Sequence, residues 1–135
     1  LEQIRGRVFS DYGPTSVQEF LDREWGPSLC SWSILDSDSE MQACGFIRGT
    51  EDPGVVRLYL YWRKSAVVVD ALRAIVERVF AGGYGNRVEM RAWADAMNVF
   101  NLCRKAGGTR EAFLRKSSMR GGNLADQALY VWLKE

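Results

Sequence analysis

The chain has 135 residues, of which 47% are hydrophobic and 26% charged, with a formal net charge of +1; that size suits a single domain with a real core. No apolar run approaches the roughly eighteen residues of a membrane helix, and the N-terminal stretch Leu1–Gly13 lacks an apolar signal core. Histidine is absent, and the three cysteines, Cys30, Cys44 and Cys103, are widely spaced. This excludes imidazole chemistry, argues against a disulfide scaffold and a metal site, and fits the reducing cytoplasm.

The charge is uneven. Residues 1–54 carry four basic and ten acidic side chains, and residues 55–123 carry thirteen basic and five acidic ones. A basic second half favours a phosphate-bearing ligand, although solvated strand and helix faces produce the same count.

In chain order, "TSVQEFLDREW" carries a capping signal at Thr15 or Ser16 with Glu19 following. An apolar stripe of Val17, Phe20, Leu21 and Trp25 predicts a short helix ended by Gly26-Pro27. "CSWSILD" and "MQACGFIRG" alternate around the turn "SDSE" and read as a hairpin. "VVRLYLYW" is fairly apolar on both faces and reads as a central strand.

Residues 66–80 read as a helix, because Val68, Leu72, Ile75, Val76 and Val79 recur at helical spacing while Asp70, Arg73 and Glu77 can pair on the other face. "NRVEMRAWA" is a strand, and "DAMNVFNLCRKAGG" a helix capped by Asp95. "TREAFLRKS", the turn "SMRGGN" and "ADQALYVWLKE" close the chain as a hairpin. The order β-β-β-α-β-α-β-β predicts an α/β domain over residues 1–135, with one mixed, mostly antiparallel sheet and flanking helices.

From about residue 15 onward, this order and several local strings resemble the GNAT family of acyl-CoA-dependent N-acyltransferases, the ribosomal-protein alanine acetyltransferase branch above all. The resemblance is strongest at the end, where Lys105, Gly107, Glu111, Arg115, Gly121 or Gly122, Asp126 and Tyr130 stand at places where the family has characteristic residues. "DALRAIVERVF" and "NRVEMRAWA" match its central helix and following strand. The family begins with a strand and helix that this chain does not show. The chain is therefore expected either to stand alone without a front strand or to be the C-terminal part of a larger one. A second copy or a partner segment is expected to cover the exposed sheet edge.

The resemblance implies acetyl-CoA or another acyl-CoA as cofactor, and a small-molecule or peptide amine as acceptor, with neither nucleic acid nor membrane as partner. The edge of Leu60, Tyr61 and Trp62 would pair with the pantetheine amides. Arg63, Lys64, Ser65, Ala66, Val67 and Val68 would hold the pyrophosphate on backbone N–H groups at a helix N-terminus. Asn98 stands near the place of an asparagine that opens the next helix.

The loop is degenerate: Ala66 and Val68 stand where the family has a glycine and a glycine or alanine, and glycine lets the backbone approach a phosphate closely. The family's general-acid tyrosine is replaced by Cys103, a candidate proton donor to the leaving thiolate. Glu89 is the candidate general base, acting through water. The alternative function is a GNAT-like module that has lost catalysis and serves in binding or assembly.

Overall fold

A computed structural model describes residues 30–35, 41–63 and 68–135. The helix expected near residues 15–25, the turn at 37–40 and the loop residues Lys64, Ser65, Ala66 and Val67 lie outside the described residues.

Among the described residues, eight elements follow the expected order: β1 (Cys30–Leu35), β2 (Met41–Gly49), β3 (Val55–Trp62), α1 (Val68–Ala81), β4 (Arg87–Trp93), α2 (Met97–Lys105), β5 (Thr109–Arg120) and β6 (Asn123–Leu133). They form one six-stranded sheet ordered β1-β2-β3-β4-β6-β5. Only β3 and β4 pair in parallel; every other pairing is antiparallel. Among the described residues the outer edge of β1 faces no strand, and no helix is long and apolar enough to cross a membrane.

Strand alternation divides the side chains between two faces. On one face Val56, Leu58, Val88, Met90, Ala128, Tyr130 and Trp132 form the floor of the core. The helices lie on this floor. The five residues of α1 picked out by helical spacing, Val68, Leu72, Ile75, Val76 and Val79, are the five that the helix buries. From α2, Val99, Leu102 and Cys103 join the same cluster. Trp132 closes the far end, its indole N–H donating to the carbonyl of Ala106 at 3.1 Å.

Three local expectations give way to other contacts. Asp95 does not cap α2: the N-cap is Ala96, without a side-chain hydrogen bond, and the Asp95 carboxylate pairs with Arg120 at 2.9 Å. An ion pair thus outcompetes the cap. Arg73 does not join Asp70 and Glu77 in an ion pair; it donates instead to the Lys105 carbonyl, tying α1 to the C-terminal end of α2. The final hairpin is also tighter than "SMRGGN" suggests. β5 runs on to Arg120, and the turn is Gly121-Gly122, with φ of 55° and 86°, the positive values that a two-residue hairpin turn requires.

Candidate active site

The site is built by what β3 and β4 stop doing. Their parallel ladder has three rungs, Val55–Arg87, Val56–Val88 and Arg57–Glu89, and no more. Beyond it β3 stays paired to β2 as far as Trp62, and β4 stays paired to β6 as far as Trp93. Each strand follows its outer neighbour, and a gap opens between them.

The backbone of β3 offers hydrogen bonds into this gap. Arg63 donates its N–H to the Gln42 carbonyl at 2.8 Å, and Thr50 donates to the Val55 carbonyl at 3.3 Å. Odd-numbered residues therefore turn their backbone groups toward β2, and by alternation those of Leu58 turn toward the last rung of the β4 ladder and those of Leu60 and Trp62 toward the gap. Of the edge expected to bind pantetheine, Leu60 and Trp62 face the opening, whereas Tyr61 faces β2 through its backbone.

Glu89 sits on the last rung, at the apex of the gap. It lies on the face away from the helices, its side chain 16% exposed, and accepts from Arg87 Nε at 2.9 Å. Arg87 reaches on to Glu111 at 2.8 Å and holds that carboxyl below its ordinary value. On the same face a cavity of about 950 Å³ is lined by Arg48, Arg57 and Arg87 together with Glu51, Asp52 and Glu89.

Cys103 lies on the opposite face, fully buried between α2 and the sheet. Burial pushes its thiol from an ordinary 9.0 up to about 12, which makes it a weaker acid than a free thiol. Beside it Tyr130 is buried, with its hydroxyl lacking a hydrogen-bond partner among the described residues. Burial first, and then the field of Cys103, raises its pKa. The two candidate catalytic residues are thus separated by the sheet, a carboxylate on one face and a buried thiol on the other.

Of the candidate phosphate loop, Arg63 is half-buried and follows β3, and Val68 opens α1. The Val68 side chain is 0% exposed in the core, packed under the helix start. Val68→Gly is therefore expected to lower stability by about 2–4 kcal/mol, from lost burial, the cavity left behind and the helix cost of glycine. Urea unfolding of the variant checks this; an unchanged midpoint would show that the side chain is not core. Asn98 is exposed in the first turn of α2.

Sequence reasoning passed over Arg57 and the hydroxyl of Tyr130. Arg57 carried one visible signal, a lone charge on a central strand otherwise rich in valine, leucine and tyrosine. Tyr130 carried none beyond its place in the resemblance.

No protein-family model and no curated protein sequence matches the chain. Solved structures do. A GNAT-family acetyltransferase from Bacillus anthracis superposes with a TM-score of 0.68 at 12% identity, over 76% of this chain and 65% of that one. A ribosomal-protein-S5-alanine acetyltransferase from Vibrio fischeri gives 0.69 at 9% identity, over 78% and 61%. A spermidine N-acetyltransferase variant from Vibrio cholerae gives 0.69 at 8% identity, over 76% and 64%. This chain thus spans somewhat under two thirds of the length of each. At such identities the likeness is one of fold, and the fold of this chain is that of the GNAT acetyltransferases.

Proposed function

We propose that the chain transfers an acyl group from acyl-CoA to an amine in the gap between β3 and β4. The observation that carries this reading is the ladder that ends after Glu89 and leaves the backbone groups of Leu60 and Trp62 facing an opening. An extended ligand with amide groups can pair there as an added strand would. The N-acetyltransferases that share the fold support the same reading.

In the reaction, the neutral amine attacks the thioester carbonyl, a C–N bond forms, and the C–S bond breaks. Glu89 takes the amine's proton through a water, and the thiolate leaves and is protonated from solvent. Cys103, buried and weakly acidic, is a packing residue in this scheme. Arg63 and Lys64 supply positive charge, and the backbone from Ser65 to Val68 supplies N–H donors to the pyrophosphate.

A second reading, a binding module without catalysis, is favoured by the same weak acidity of Cys103 and by Ala66 in place of a glycine and Val68 in place of a glycine or alanine. Calorimetric titration with acetyl-CoA and longer acyl-CoAs separates the two. Binding is expected, and Arg63→Ala with Lys64→Ala should weaken it about tenfold or more and flatten its salt dependence. An absence of binding at millimolar ligand would remove the transferase reading and leave the module.

A further inference from the structure

The cavity at the apex of the gap is lined by three arginines, Arg48, Arg57 and Arg87, and by three carboxylates, Glu51, Asp52 and Glu89, and the arginines differ in what already holds them. Arg87 pairs with two carboxylates, Glu89 and Glu111. Arg48 lies over the rings of Phe46 and Tyr59, 5.5 and 5.7 Å from their centroids. Arg57 makes no ion pair among the described residues, and its Nε is buried without an acceptor. A desolvated charged donor left unmade costs stability, about 1–3 kcal/mol or more. Nothing in the packing of β3 calls for it, since the neighbouring positions on that face are Val55 and Tyr59. An anion in the cavity would supply the missing acceptor.

The position of Arg57 narrows what that anion is. Arg57 and Glu89 are partners on the last rung, on the same face, on strands about 4.8 Å apart. They present a cation and an anion side by side where the gap opens. An amino acid carries the complementary pair, an amine and a carboxylate separated by one carbon.

Resting on the transferase reading, we propose that Arg57 binds the carboxylate of the acceptor and that the acceptor is an amino acid rather than a polyamine. The carboxylate lies on the planar guanidinium fork, which suits it in a way a lysine ammonium does not. The amine then falls toward Glu89. A polyamine has no carboxylate to lie on Arg57 and would leave the buried Arg57 Nε without an acceptor.

Because the carboxylate does not change during acyl transfer, this contact binds ground state and transition state alike, and its loss appears in KM rather than kcat. The test uses the full chain with glycine and glutamate as carboxylate-bearing amines, and glycinamide and putrescine as amines without a carboxylate. Calorimetry should show the first pair binding at least about tenfold more tightly than the second. Arg57→Ala should weaken glycine and glutamate by about tenfold or more, and Arg57→Lys should recover part of the loss. Acetyl-CoA affinity should stay as in the wild type. In turnover followed by thiol release, Arg57→Ala should raise KM for the amino acid about tenfold, with kcat within about threefold.

Arg57→Gln, which keeps the bulk, serves as the second variant if Arg57→Ala fails to fold. Equal or tighter binding of putrescine or glycinamide, no binding of glycine or glutamate at millimolar concentration, or an Arg57 variant with unchanged affinity would each overturn the proposal. Amino-acid binding without acetyl-CoA binding would overturn the transferase reading and leave the carboxylate site. Acetyl-CoA binding with a preference for putrescine would do the reverse.

Discussion

Between pH 9 and pH 12 the folded chain is expected to lose several kcal/mol of stability and to unfold. Cys44 and Cys103 are both buried free thiols. Burial pushes the first up to about 11 and the second up to about 12 from an ordinary 9.0. Their folded pKa values lie above the unfolded ones. The native state therefore holds these protons after the unfolded chain has released them. Below pH 9 both states are protonated and the thiols' full contribution is present. As pH rises from 9 through 11 and 12, the unfolded state is progressively favoured. Two shifts of this size, at about 1.4 kcal/mol per unit, are on the order of the whole stability of a small domain.

Urea midpoints measured at pH 8, 9, 10 and 11 check the slope. Cys44→Ala with Cys103→Ala should start lower, by about 1 kcal/mol for each small cavity, and fall less steeply. Equal slopes for the variant and the wild type would show that the thiols do not carry the effect. Tyr130 works in the same direction, since burial raises it too, and some slope should survive in the variant.

The fold was legible wherever burial follows local periodicity. β3 and the apolar stripe of α1 were readable because each buries a regular face, period two for Val56, Leu58 and Leu60 and helical for Val68 through Val79. The start of α2 was not, because Asp95 as a cap and Asp95 as the partner of Arg120 look the same in sequence. The partner arrives from β5, twenty-five residues later. The extension of β5 was hidden by its irregularity. The pairing shifts between Leu114 and Ser118, where Lys116 has a positive φ of 45° and its N–H donates to the Asp126 carboxylate at 2.7 Å. A bulge of this kind breaks the alternation from which a strand is read.

The site follows the same division. Glu89 was visible as a carboxylate on the strand after the central helix. Its position at the apex was not, since the apex exists only because β3 and β4 follow different neighbours. Arg57 reads as a surface arginine until the ladder sets it beside Glu89. Cys103 reads as a replacement for an acid until its burial is known. Chemistry-bearing residues can be named from sequence, but which of them meet is decided by where pairing stops.

Replacing Glu89 by glutamine is expected to lower kcat/KM for acyl transfer by about 10²–10⁴-fold, the usual range for a positioned general base. The substitution suits the question because it leaves the surroundings nearly as they were. Glutamine has the same shape, and its carbonyl oxygen can still accept from Arg87 Nε, now held at 2.9 Å by the carboxylate. Arg87 also keeps its contacts to Glu111 at 2.8 and 3.2 Å. Stability should therefore change by no more than about 1 kcal/mol, the scale of a partly exposed ion pair.

Acetyl-CoA affinity should be unchanged, because the carboxylate lies across the gap from the edge proposed to take the cofactor. A purely structural Glu89 would give the opposite pattern, a lower unfolding midpoint with activity falling only as the folded fraction falls. Steady-state kinetics at saturating acetyl-CoA, together with a urea curve, separate the two. If activity stays within about threefold of wild type while the fold is intact, Glu89 is not the base, and the amine is delivering its proton to water alone.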